Sequence, residues 1–153
     1  MSKKPMFKCL LLVIFISLGV NTQGGTVPNC DQICGKWMSS EKNLLVQVYH
    51  DTNNTYRAKI IWFRDDPSKP MEEWCDTKNP DPSQRTRKIL GMNIMRDLKY
   101  DTGSSSWEDG MIYDAKNGRE WNASVYINKE GLLKVKGYWH FKLLGRTMTF
   151  KRA

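Results

Sequence analysis

Histidine is scarce in this chain: His50 and His140 are the only two among 153 residues. The sequence has no G-x-S-x-G elbow, no paired-histidine metal motif and no glycine loop shaped to cradle phosphate. Those absences remove the usual signatures of serine hydrolases, zinc hydrolases and nucleotide-binding enzymes. Cysteine is sparse as well, with four residues. Cys30 and Cys34 are spaced C-x-x-x-C, one residue too wide for the C-x-x-C redox motif. No histidine lies close in sequence to the thiols, so zinc-ligand spacing is missing too. Acidic residues are in deficit, 16 against 24 Lys and Arg, for a net charge of +8. The chain has a single long apolar run, Cys9 to Val20 (CLLLVIFISLGV). It falls short of the roughly 20 apolar residues that a membrane-spanning helix needs.

What is present begins with that run. Lys3, Lys4 and Lys8 precede it and small residues follow it, the pattern of a secretory signal peptide. Cleavage is expected between Gly19 and Gly25. The expected division is therefore residues 1–25 as signal peptide and residues 26–153 as one domain, exported to the periplasm or secreted, with no stable membrane span after cleavage. Removing residues 1–25 takes away three lysines and no acid, which lowers the charge from +8 to +5. An excess of that size suits anionic surfaces at low salt and is no mark of nucleic-acid binding. Three cysteines remain, Cys30, Cys34 and Cys75. In an oxidising compartment they predict one disulfide and one free thiol, with the pairing left open between Cys34–Cys75 and Cys30–Cys34.

The domain reads as strands. Asn117-Gly118 is the strongest hairpin signal, since both residues tolerate positive φ. On one side Trp107, Met111 and Tyr113 share a parity; on the other Trp121, Ala123, Val125 and Ile127 do. Alternation of this kind predicts two amphipathic strands with one apolar face. The same period places strands at Gly35–Met38, Leu44–Tyr49, Thr55–Phe63, Ile89–Leu98, Leu133–Phe141 and Gly145–Lys151. Trp62, Trp121 and Trp139 are expected to share one interior. Between the third and fourth strands, residues 64–88 hold four of the six prolines and no periodicity. This is a long Pro-rich loop, read either as a binding lid or as an ordered crossover pinned by Cys75. Asp81-Pro82 predicts a capped helical turn inside it. About eight strands and almost no helix predict an all-β fold, a single antiparallel up-and-down β-barrel.

A set of motifs carries a resemblance. They are Gly35-Lys36-Trp37; Asp76-Thr77-Lys78-Asn79-Pro80-Asp81 with Arg85; Trp107-Glu108-Asp109-Gly110-Met111-Ile112-Tyr113-Asp114 with Asn117-Gly118; Gly131 to Val135 with Gly137-Tyr138; and Leu144-Gly145-Arg146-Thr147. In this order they resemble the bacterial domain-of-unknown-function family number 2147, small exported proteins with a lipocalin-like β-barrel. Ala115 departs from the family's usual proline and Lys136 from its frequent arginine. The resemblance implies the barrel and export; it implies no activity.

Arg96, Asp109 and Arg146 fall in phase with apolar faces. A charge inside a barrel must be paired or meet a ligand, and guanidinium groups bind carboxylate or phosphate in a bidentate manner. Asp76, Asn79 and Arg85 in the long loop form a second candidate group, read either as rim ligands or as side chains that rigidify a turn. No catalytic residue, metal site or cofactor is assigned. The expected partners are a small anionic or partly apolar ligand, or an envelope polymer or protein; an enzymatic reaction is the weakest of the readings.

Overall fold

The computed structural model describes residues 29–153. The expected signal peptide lies outside the described residues. Eight strands follow one another: β1 (Gly35–Ser39), β2 (Leu44–His50), β3 (Tyr56–Phe63), β4 (Asn93–Asp101), β5 (Ser106–Asp114), β6 (Arg119–Ile127), β7 (Leu133–Tyr138) and β8 (Arg146–Arg152). Each pairs with the next, and β8 pairs with β1, so the sheet closes into an up-and-down barrel. Closure leaves no edge to recruit another chain.

The barrel has two unlike ends. At one end the chain enters through a short 3-10 helix, Asn29–Ile33. The buried aromatics Trp37 and Trp107 donate their indole N–H groups to the carbonyls of Ile33 (2.7 Å) and Cys30 (2.9 Å). Tyr56 donates its hydroxyl to Asp31 Oδ1 at 2.9 Å. Arg152, at the end of β8, donates to the carbonyls of Gln32 and Cys34 while its guanidinium lies 4.2 Å from the Trp37 ring centre. That close approach requires glycine at position 35: its φ is +129, and a Cβ there would sit 2.7 Å from Arg152 Nη1. The expected N-terminal arm is thus a plug. Large apolar side chains such as Trp37 each contribute roughly 1.5–3 kcal/mol when fully buried, and the apolar core gathers against this plug.

Simple alternation fails at bulges, and several side chains change face. Across β3 and β4, Tyr56 pairs with Leu98 but Ala58 pairs with Met95, so β4 holds an extra residue. Across β5 and β6, Trp107 pairs with Val125 and Gly110 with Ala123, so β5 holds one too. The bulged residues are Asp97 (φ 61) and Asp109 (φ 59), a left-handed conformation that aspartate tolerates better than most residues. Consequently Gly110 and Ile112, not Met111 and Tyr113, pair with the inward Ala123 and Trp121. Met95 and Leu98 are buried, and Arg96 pairs with Met111 on the outer face. The expected inward direction of Arg96 is therefore reversed. A further irregularity pairs Leu45 with Trp62 and Val46 with Ile60. Val46 is buried, so Trp62 is turned to the outer side, away from Trp121.

Strand limits shift as well. The fourth strand begins at Asn93 rather than Ile89, because residues 89–92 complete the crossover through bonds such as Ile89 N–H to the Trp74 carbonyl. The seventh ends at Tyr138, leaving Trp139 and Phe141 in a loop and mostly exposed. Cys30, Cys34 and Cys75 are all free thiols. Cys34 sits at the plugged end against Arg152, whereas Cys75 bridges Lys88 within the crossover at the other end, so the Cys34–Cys75 bridge does not form.

Candidate functional site

The wide end is framed by the crossover of residues 64–92, the β5–β6 turn and the β7–β8 loop. The crossover is ordered by polar bonds rather than by a core of its own. Asp76, fully buried, accepts from Asn79 Nδ2, Tyr113 OH and Arg87 Nη2, each at 2.7 Å. Burial alone would raise its pKa, yet these three donors hold the carboxyl below its usual range. The same burial, with the bond to Asp76, pushes the Tyr113 phenol up to about 12. Arg85 Nε donates to the Asn79 carbonyl at 2.8 Å, and the Asp81 side chain caps the 3-10 helix Pro82–Gln84. The β5–β6 turn locks onto this segment at Gly118, whose φ is +65; a Cβ there would lie 1.8 Å from the Lys78 carbonyl oxygen. Lys116 pairs with Asp65 at 2.5 Å across the same junction.

Where the crossover meets β4, β5 and β6 there is a cleft of about 1020 Å³. Trp121 and Trp139 form an aromatic wall, edge to face with ring centres 5.6 Å apart. Arg87, Arg96 and Arg119 bring three guanidinium groups to the lining, against one carboxylate, Glu120. Arg96 spans Glu120 (3.1 Å) and Asp97 (2.5 Å), and its bonds to Asp97 and then Glu120 raise its pKa further.

The sequence-derived candidates distribute unevenly around this cleft. Arg96 and Asn79 line it. Asp76 stands behind it as the buried anchor of Arg87 and Tyr113, and Arg85 braces Asn79 from outside the lining. Asp109 occupies its bulge, exposed. Arg146 pairs with Gly137 at the start of β8, also exposed. Neither lines the cleft. Sequence reasoning missed Arg87, Arg119, Glu120 and the functional placement of Trp121 with Trp139; the arginines follow no apolar period that would single them out.

Residues with catalytic chemistry lie elsewhere. His140 and Cys75 do not line the cleft. At the plugged end Cys34 is close to Asp31 and accepts from the His50 backbone, but burial, reinforced by Asp31, pushes the thiol up. A thiol held protonated is a poor nucleophile. Among the described residues no group of three His, Cys, Asp or Glu side chains is placed to hold a metal ion.

Comparison with known proteins agrees with this architecture. A family model described as "Uncharacterized protein conserved in bacteria (DUF2147)" matches residues 35–152. No curated protein matches the chain. Among solved structures, a Helicobacter pylori protein, HP1028, described as belonging to the lipocalin family, superposes with a TM-score of 0.67. The two are 27% identical over 79% of this chain and 82% of that one. With its family match running from the first strand to the last, the chain belongs to this bacterial DUF2147 family and is built on a lipocalin-like barrel.

Proposed function

We propose that this protein is a non-catalytic binding module, exported to the cell envelope, whose wide-end cleft takes a small, partly apolar anion. One observation carries the reading: Arg119, in no ion pair among the described residues, lines a cleft with a two-tryptophan wall, beside Arg87 and Arg96, which Asp76, Glu120 and Asp97 hold in place. An anion gains charge-assisted bonds from the arginines, and an apolar or aromatic body gains contact with the indoles. The ligand sits at the mouth, because the opposite end is filled by Trp37, Trp107 and the plug.

The test is a fluorescence titration with 1-anilinonaphthalene-8-sulfonate, a partly apolar anion. Saturable binding is expected, lost in Trp139→Ala and weakened at least tenfold in Arg119→Glu. Binding that both variants retain would reject the cleft as the site.

A second reading has one observation behind it: the packed plugged end leaves a rigid barrel with basic outer strands. In that reading the protein attaches to an envelope polymer or a protein partner. Attachment to purified envelope should then weaken steeply between low and high salt, with the cleft variants unaffected.

A further inference from the structure

The β7–β8 loop exposes apolar surface that the barrel does not use. Phe141 is 71% exposed, Leu143 88% and Leu144 82%. Soluble domains seldom display large apolar side chains in one contiguous group without a partner. The loop is ordered: Leu144 N–H donates to the Phe141 carbonyl, Asn122 Nδ2 to the Trp139 carbonyl, and Lys142 pairs with Glu108. Gly145 brings the chain back so tightly that a Cβ would lie 2.5 Å from the Gly137 carbonyl oxygen. These bonds hold the three side chains outward.

The surroundings carry both signs: Lys142 lies against Glu108 and Asp109, whereas Lys136 and Arg146 stand at the base of the loop. From Leu133 to Ala153 the chain carries six Lys and Arg and no Asp or Glu. Val135 and Phe150 are buried, so Lys134, Lys136 and Lys151 face outward on β7 and β8. Lys136, Arg146 and Lys151 make no ion pair among the described residues, whose salt bridges involve other cations.

We infer that this loop is a membrane-docking element that inserts Phe141, Leu143 and Leu144 into the headgroup region of an anionic lipid bilayer. Apolar side chains projecting beyond two unpaired cations match the two terms of peripheral binding, apolar insertion and attraction to acidic headgroups. The unpaired Lys136 and Arg146 at the base of the loop favour an anionic surface over a second copy of this chain, which would set those cations against each other. The inference is independent of the cleft: none of the three inserting residues lines it.

The experiment is co-sedimentation of residues 26–153, which hold every strand and the whole described core, with phosphatidylglycerol–phosphatidylcholine vesicles and with phosphatidylcholine vesicles. Binding to the anionic vesicles is expected to exceed binding to the neutral ones. Leu143→Asp/Leu144→Asp should lose at least tenfold in partitioning, and Phe141→Ser a smaller part. Lys136→Ala and Arg146→Ala should each lose about fivefold. Thermal melts of all variants should match the parent, because these side chains are exposed. Failure of the parent to bind either vesicle would overturn the inference, as would equal binding by the double aspartate variant. Gel filtration showing a dimer that Leu143→Asp/Leu144→Asp converts to monomer, without lipid binding, would overturn it in favour of a second copy.

Discussion

The plugged end and the wide end of this barrel solve the same problem with different materials. At the plug, Trp37, Trp107 and Ile33 are almost fully buried; the two indoles donate to backbone carbonyls and Tyr56 donates to Asp31. At the wide end the central group is a carboxylate, Asp76, with three donors around it. The first arrangement depends mainly on buried apolar area. The second depends on charge, leaves the indoles of Trp121 and Trp139 in contact with a solvent-accessible cleft, and is titratable. A filled end supplies rigidity; an end held by polar bonds retains room for a ligand.

The contrast is breakable. Trp37→Ala should cost the most, about 3–5 kcal/mol in denaturant unfolding, because it removes core contact and the bond to the plug together. Asp76→Asn should cost on the order of 3 kcal/mol at neutral pH, since it weakens the buried acceptor of three donors. Its pH dependence follows from the lowered pKa: the contribution of Asp76 is complete above the ordinary carboxylate value of about 3.9 and is lost as pH falls through its lower folded value. Unfolding at pH 7 and below pH 3 should therefore show parent and variant converging in acid, whereas a constant gap would mean the charge is irrelevant.

Gly118→Ala should cost about 2 kcal/mol from the left-handed backbone and the collision with Lys78. It should also perturb the cleft while leaving the plug intact, which amide exchange at the Trp37 and Trp107 strands would report. Trp139→Ala, at 60% exposure, should change stability by less than about 0.5 kcal/mol. Measured by the same unfolding curves, a large loss there would mean the wide end is core after all.

Much of the barrel was legible along the chain. Val46 and Val48, Ala123 and Val125, Leu133 and Val135 alternate because each strand has water on one side only, and all six are buried. Asp81-Pro82 and Asn117-Gly118 marked their turns correctly, since both are local preferences of the backbone. The candidate site was legible only in part. Asn79 and Arg96 were singled out and line the cleft, but Arg96 was assigned to the inner face by a period that bulges at Asp97 and Asp109 interrupt. Nothing in a period of two signals where a strand will accept an extra residue, and past that point every side chain changes face.

The sequence alone determined the number and approximate place of the strands, the crossover and the turns, because alternation, proline and positive-φ residues act over a few neighbouring positions. Which end would be sealed, which way Arg96 and Trp62 would point, and which arginines would share a cleft with Trp121 and Trp139 were decided only by closure of the barrel. Those outcomes depend on register between strands and on a crossover landing against Tyr113 and Gly118, contacts between residues tens of positions apart that no local pattern contains.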